Sequence, residues 1–426
     1  MQTTLKVEYL PTSSIKPYKF NPRIHNEKQV RQLMASITAF NFNNPLLIDS
    51  EGELIAGHGR LMAAQQLKME TVPVIRLSHL TPYQKRLYRI ADNKLTLNGD
   101  WDVDLLKFEL SELETDFDVG DLTITGFATG EIDILLNHTP ADERLNRIPF
   151  IPPEEVVSAP GDIWTLGKHK IICGNALEES VFQKLMGGEK ADMVFTDPPY
   201  NLSAERIRHN GGGHKSFAMA AGEMSVSQFK NFLNKNASLL AAFSKDGAII
   251  FTCIDWRHVQ ELLEAVGPVY TELKNIATWV KDHGGMGSLY RSRHEFVTVH
   301  KNGKSPHTNN IELGVHGRYR TNVWEYTGVG PELLKIHPTV KPVELIEDAI
   351  FDVSNRGEIV LDAFLGSGST LIAAEKTRRV CRGIELEPLY VDTAIRRWET
   401  LTGKDAVHAA SQKTYKQAVE EKKNVK

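Results

Sequence analysis

Across residues 162–405 short apolar runs alternate with segments of helical period, and no other property restricts the fold of this chain so strongly. The runs are His169–Cys173, Met193–Thr196, Ala248–Cys253, Thr278–Val280, Phe296–His300, Ile359–Ala363 and Cys381–Ile384. Between two of them, Val343, Ile346, Ile350 and Val353 recur at the spacing of one helix face. Strands separated by helices are joined by crossovers, so they lie parallel and are covered on both faces. The pattern predicts an α/β unit built on a mostly parallel, seven-stranded sheet.

The rest of the chain divides by composition. Residues 1–95 read as a small α+β domain, with a helix at Glu27–Phe40, strands at Pro45–Asp49 and Leu54–Ala56, and a short helix after Gly57-His58-Gly59-Arg60. Val72-Pro73-Val74-Ile75 reads as an edge strand, because proline cannot donate to a ladder. Residues 96–161 form a helical connector, with Leu105, Leu106, Leu110 and Leu113 as its apolar stripe, and then a proline-rich linker. Residues 406–426 are a charged tail that reads as a frayed helix. No apolar run reaches membrane-spanning length, and the N-terminus lacks a secretory pattern. Three scattered cysteines fit a reducing cytosol better than a disulfide framework or a zinc cluster, and no metal is expected.

Asp197-Pro198-Pro199-Tyr200 follows directly on one of the strands. Open parallel sheets bind ligands beyond the C-terminal ends of their strands, so these four residues stand where chemistry is done. An exocyclic amine on a nucleobase is a poor nucleophile, because its lone pair is delocalised into the ring. Acceptors for both N–H groups would draw the nitrogen toward tetrahedral geometry. Asp197 supplies one acceptor and the Pro198 carbonyl a second, aimed by the fixed φ of proline. Tyr200 offers a flat face for an extruded base. Taken alone, the tetrapeptide reads equally well as a strand followed by a stiff turn.

Phe364-Leu365-Gly366-Ser367-Gly368 joins another strand to a helix beginning at Ser369, the layout of a nucleotide or nucleoside pocket. No Gly-Lys-Ser/Thr follows, which excludes an ATP phosphate loop, and the third glycine of dinucleotide sites is missing. An acid closing the next strand is placed to accept from ribose hydroxyls; Glu385 fits best and Glu387 is the alternative.

Together these residues resemble the amino-methyltransferases of DNA over roughly residues 162–400. The family's catalytic motif matches Asp197, Pro198, Pro199 and Tyr200, and its Phe-x-Gly-x-Gly loop matches Phe364, Gly366 and Gly368. His337-Pro338-Thr339-Val340-Lys341-Pro342 resembles the motif that lines the methionine end of the cofactor pocket. The catalytic motif precedes the cofactor loop, as in the permuted beta class. The resemblance implies the S-adenosylmethionine-dependent, Rossmann-like methyltransferase fold. It also implies S-adenosyl-L-methionine held by Asn175, His337, Thr339, Lys341, Asp362, Phe364, Gly366, Gly368, Thr370 and Glu385. Asn175 stands where such proteins often carry Asp. Cytosine-amino enzymes more often carry Ser in place of Asp197, so adenine N6 is favoured over cytosine N4. Methylation at a ring carbon would need a nucleophilic Cys, and no Pro-Cys pair occurs.

Two rivals differ in class. An RNA or protein-amide methyltransferase would carry Asn-Pro-Pro-Tyr. A DNA-binding adaptor with a non-catalytic methyltransferase body would not need the intact Asp197, Gly366 and Gly368.

The N-terminal unit resembles the ParB-like domain of partition proteins, a fold similar to sulfiredoxin, through Asn21-Pro22-Arg23, Pro45–Ile48 and Ile55–Arg60. The resemblance implies a phosphate site at Gly57 and Arg60. His58-Gly59 replaces the usual Glu-Arg, which favours an accessory DNA-binding role over nucleotide hydrolysis. The expected partner is double-stranded DNA, with no membrane. A homodimer and a restriction partner are left open, in a cytoplasmic protein of bacterial or phage origin. Net charge is −4, so contacts to DNA must be local. Lys281, Arg291, Arg293, Arg318 and Arg320 are the candidates. The insert Ser203–Met224, with Gly211–Gly213 between His209 and His214, reads as a loop that closes over DNA.

Overall fold

The computed structural model describes residues 5–116, 121–136, 151, 155–201, 222–282, 284, 289–311, 314, 318–327 and 340–424. The chain forms two compact units, residues 1–128 and 129–426.

The first unit holds strands β1 (Val7–Pro11), β2 (Leu46–Ile48), β3 (Leu54–Ala56) and β4 (Thr71–Arg76) in the order β1-β4-β2-β3. Its helices are α1 (Glu27–Phe40), α2 (His58–Gln66), α3 (Pro82–Thr96) and α4 (Val103–Asp116). Leu46, Ile48, Leu54, Leu61, Val72 and Val74 form the core. The helix starts are chemically specified. Asn26 caps α1 by accepting from Gln29 N at 2.8 Å, and Thr81 with Gln84 makes a capping box ahead of Pro82 on α3.

Two expectations are corrected here. The proline-bearing strand β4 is interior, since β1 pairs antiparallel with it and sets Tyr9 opposite Pro73. The parallel ladder to β2 begins only at Val74, past the proline, which is how an interior strand accommodates it. Along α4 only Leu110 of the leucine stripe is buried; Leu105 is 63% exposed.

The second unit is a ten-stranded sheet in the order β11-β9-β10-β8-β7-β12-β13-β6-β5-β14. The strands are β5 (Ile163–Leu166), β6 (His169–Cys173), β7 (Ala191–Thr196), β8 (Ser244–Ile254), β9 (Glu272–Val280), β10 (His294–Lys301), β11 (Val323–Glu325), β12 (Ile359–Asp362), β13 (Val380–Glu385) and β14 (Val407–His408). The helices are α5 (Thr129–Leu136), α6 (Glu179–Met186), α7 (Val226–Ala242), α8 (Val259–Val266), α9 (Val343–Val353), α10 (Ser369–Lys376), α11 (Pro388–Thr402) and α12 (Tyr415–Asn424). All seven expected strands are present, and β8-β7-β12-β13-β6 run parallel at the centre. The additions are short elements at or next to the sheet edges whose patterns carry little signal, β5 with four residues, β11 with three and β14 with two. The charged tail is not loose: Tyr415 at the start of α12 is buried against Trp164, ring centres 5.6 Å apart.

Register decides what meets at the C-terminal edge of this sheet. Leu361 pairs with Val194, Thr196 with Thr252, and Asp362 with Gly383. β10 is antiparallel to both neighbours, with Phe296 opposite Ile254 and His294 opposite Val280. The ends of β13, β12, β7, β8 and β9, and the start of β10, therefore share one rim. No described helix is long and apolar enough to cross a membrane.

Helix α5 is anchored to this unit by charge. Asp133 lies between Arg356 Nε at 2.7 Å and Arg379 Nη2 at 2.9 Å, and all three side chains are 4% exposed or less. Removing one member of a buried ion cluster strands the others. Asp133→Ala is expected to lower stability by about 3–5 kcal/mol, measured by urea unfolding. A loss near zero would show that α5 is held by other contacts.

Candidate active site

At the centre of the rim, Asp197 leaves the end of β7. Tyr200 Oη donates to Asp197 Oδ1 at 2.6 Å, so the catalytic-motif tyrosine is tied to the motif's own carboxylate. Lys341, just ahead of α9, places its ammonium 2.5 Å from Asp197 Oδ2, 3.1 Å from Tyr200 Oη and 3.1 Å from Glu295 Oε2. Glu295 comes from β10, and its other oxygen pairs with Lys281 at the end of β9. Lys281 also lies 4.6 Å over the Trp279 ring. Two carboxylates and two ammonium groups thus close into a neutral, largely buried cluster.

The environment separates the two acids. Burial pushes Asp197 above the ordinary aspartate range, with Lys341 pulling the other way and the neighbouring Glu295 adding to the rise. Burial also works against Glu295, but Lys341 and Lys281 outweigh it and hold that carboxyl at about 2. Paired titratable groups driven apart in this way take different chemical roles. Lys341 stays charged: burial disfavours its cation, and Asp197 and Glu295 more than compensate.

The glycine loop lies one strand away. Continuing the β7–β12 register brings Asp197 level with Phe364. Phe364 N donates to Asp362 Oδ1 at 3.0 Å, and Thr370 Oγ1 to Asp362 Oδ2 at 2.6 Å. Glu385 accepts Gly366 N and Glu387 N, each at 2.8 Å. Gly368 has φ +88° and opens α10; a Cβ there would come 2.8 Å from the Ala394 Cβ, so only glycine fits. Behind the loop, Arg397 Nη1 donates to the Ser367 carbonyl at 2.7 Å. The Phe364 ring packs at 5.8 Å from Phe232 of α7. Burial raises both Asp362 and Glu385 to about 7, and Asp197 contributes to the rise at Asp362. The two motifs therefore feel each other electrostatically, and the buried Cys253 senses Lys341, Asp197, Glu295 and Asp362 together.

The remaining predicted positions fall in varied places. Asn175 follows β6, where its Oδ1 accepts Leu177 N at 3.0 Å, and Gly174 N meets the Glu385 carbonyl at 2.8 Å. Thr370 faces Asp362 rather than open space. Lys341, expected beside the methionine end of a cofactor, touches Asp197. His337, Thr339 and the His209–His214 stretch lie outside the described residues. Arg291 and Arg293 are exposed on the segment entering β10 at the rim.

Arg318 and Arg320 do not present themselves to a ligand. They bind Asp348 and Asp352 of α9 at 2.8–3.1 Å, with side chains 13% and 16% exposed. Their reading as DNA contacts gives way to one of bracing. Sequence reasoning passed over Glu295 because its segment was read for its arginines. The available signal was an acid opening a buried strand opposite a lysine that closes another. It also passed over Asp255-Trp256-Arg257-His258 after β8. There the buried Asp255 holds His258 Nδ1 at 2.7 Å and Arg257 Nη1 at 3.1 Å.

In the first unit, Gly57 takes φ +101° at the start of α2, and a Cβ there would meet Leu46 at 2.6 Å. Arg60 folds back beside it. Arg60 Nε and His58 Nε2 are buried without a hydrogen-bond partner among the described residues. Burial, with the nearby His25 and Arg89, lowers His58 to about 4.

The pattern of the DNA methylase family matches residues 191–396, that of the ParB N-terminal domain residues 1–90, and that of the ParB-methyltransferase HTH domain residues 104–160. The ParB-like nuclease domain-containing protein YnaK of Escherichia coli is 54% identical over 20% of this chain and 99% of its own length. The DNA adenine methyltransferase YhdJ of Escherichia coli is 25% identical over 58% of this chain and 88% of its own length. The M1.HpyAVI–SAM complex is 24% identical over 53% of this chain and 97% of that one, with a TM-score of 0.41. The chain thus carries a DNA methylase domain over residues 191–396, with a ParB N-terminal domain and a ParB-methyltransferase HTH domain ahead of it in sequence.

Proposed function

We propose that this protein transfers a methyl group to N6 of adenine in duplex DNA at a short recognition site. The observation that carries the reading is the placement of Asp197 one strand from the glycine loop, buried and raised in proton affinity. Asp at that position, rather than Ser, supports adenine over cytosine N4, as does the likeness to YhdJ.

S-adenosylmethionine is the family's cofactor, and the residues present fit it. Glu385 ends its strand as a buried acid suited to ribose hydroxyls, Gly366 and Gly368 put no side chain at two positions of the turn, both at positive φ, and Asp362 is held ready by Thr370. When bound, this cofactor supplies an electrophilic methyl group on a sulfonium. The chain's own work is to bind and to position. Asp197 and the Pro198 carbonyl accept from the two N–H groups of the extruded base and hold the lone pair toward the cofactor loop. The Tyr200 ring flanks the base. Asp197 takes the proton that the amine sheds, a task matched to its raised affinity. Arg291 and Arg293, exposed on the same rim, make phosphate contacts. The ParB-like unit binds DNA as an accessory, with Gly57 and Arg60 as its anion site.

Asp197→Ala is expected to cut methyl incorporation by about a thousandfold or more, while calorimetry shows cofactor binding preserved. Wild-type rates in that variant would end the assignment. Mass spectrometry of nucleosides from methylated DNA should find N6-methyladenine; N4-methylcytosine alone would refute the choice of base. Cofactor affinity should fall with acidity, because ribose hydroxyls need ionised acceptors and burial sets Glu385 and Asp362 at about 7. Below that pH, Kd should rise by about tenfold per pH unit for each carboxylate that must lose a proton. A flat Kd between pH 6 and 8 would exclude those acids from the pocket.

A further inference from the structure

We propose that Glu295 is a positioning residue for methyl transfer: it offers Lys341 a second carboxylate, so that Asp197 can be released to the amine of the target base. The inference rests on Asp197 as the acceptor of that amine.

The Lys341 ammonium has three protons and meets three oxygens, those of Asp197 at 2.5 Å, Tyr200 at 3.1 Å and Glu295 at 3.1 Å. Tyr200 supplies the other oxygen of Asp197 with a donor at 2.6 Å. Both acceptor atoms of the catalytic carboxylate are therefore engaged before a base arrives. A carboxylate in contact with an ammonium is a weak acceptor for an aromatic amine, and it is slow to take up a proton.

Lys341 is 5% exposed at its side chain and cannot simply withdraw into water. A buried cation can leave one anion only if another receives it. Asp197 is faced by Tyr200, Lys341, Glu295, Cys253 and Asp362. Of these, Glu295 alone is an anion already touching Lys341. Asp362 is bound instead to Thr370 and the Phe364 amide.

Glu295 is also built to stay in place. It sits on β10, between β8 and β9, and Lys281 fixes its second oxygen from the end of β9. Lys281 is itself held over the Trp279 ring. The arrangement gives the ammonium a short path between two fixed acceptors. In one position it masks Asp197; in the other it leaves Asp197 open to the base.

The two partners act on Asp197 with opposite signs. Lys341 lowers its proton affinity and Glu295 raises it, so their loss should displace the acid limb of the pH–rate profile in opposite directions. Tritiated methyl incorporation into unmethylated DNA would be followed from pH 5 to 9 for wild type, Glu295→Gln and Lys341→Met. Glu295→Gln should move the acid limb down by about one pH unit. It should also lower kcat roughly tenfold, with KM for DNA and cofactor Kd within about twofold of wild type. Lys341→Met should move the limb up, so that its activity recovers as pH rises.

Limbs that stay in place, or move together, would overturn the proposal, as would a Glu295→Gln defect confined to KM. If Glu295→Gln fails to bind cofactor and so fails to fold, Glu295→Asp carries the test. It keeps the charge on a shorter arm, so kcat should drop while the limb stays where it is; an unaltered kcat would refute the second-seat role. A wild type that adds no methyl to DNA would fail the reading of function, whereas an active wild type with limbs that do not diverge fails this inference alone.

Discussion

The parallel pairing of β7 with β12 is the constraint on which the site depends. The two strands are separated by more than 160 residues of chain, yet Leu361 lies opposite Val194. From that single register the carboxylate after one strand and the glycine turn after the other come level. Both strands are buried on both faces, so a slip of one residue would exchange their packing surfaces and be resisted by the whole core. Catalytic alignment is thus secured by hydrophobic packing far larger in extent than the polar contacts it serves.

Within that frame, water exclusion sets the chemistry. Asp197, Asp362 and Glu385 are all driven upward by burial, and only Glu295, gripped by two lysines, is driven down. The rim therefore offers Asp362 and Glu385, poised to exchange protons near neutrality, beside one carboxyl that is not. Acids held at about 7 by burial are costly to ionise, and hydroxyl donors brought by a ligand relieve that cost.

Much of this was legible in the chain itself. Seven strands followed from apolar runs, and the two motifs were visible because each sits where a strand ends. What escaped was of two physical kinds. Short edge elements such as β1 and β11 carry too few side chains to show a period, and β1 alone makes the proline strand interior. Cross-strand partnerships were equally silent: nothing in local spacing joins Lys341 to Asp197 or Glu295 to Lys281. Arg318 and Arg320 looked like free cations because Asp348 and Asp352, four residues apart on α9, form a receiving pair only once the helix is built. His337 and Thr339 fall outside the described residues.

The three cysteines have a consequence for the chemistry of the whole protein. Cys173, Cys253 and Cys381 are all buried, and burial pushes each thiol well above its ordinary range, Cys173 to about 12. Thiolate is the form that oxidants and electrophiles attack. Cys253 lies beside the reacting centre and yet presents no nucleophile there. Held protonated and out of water, the three sulfurs offer oxidants and electrophiles little to attack.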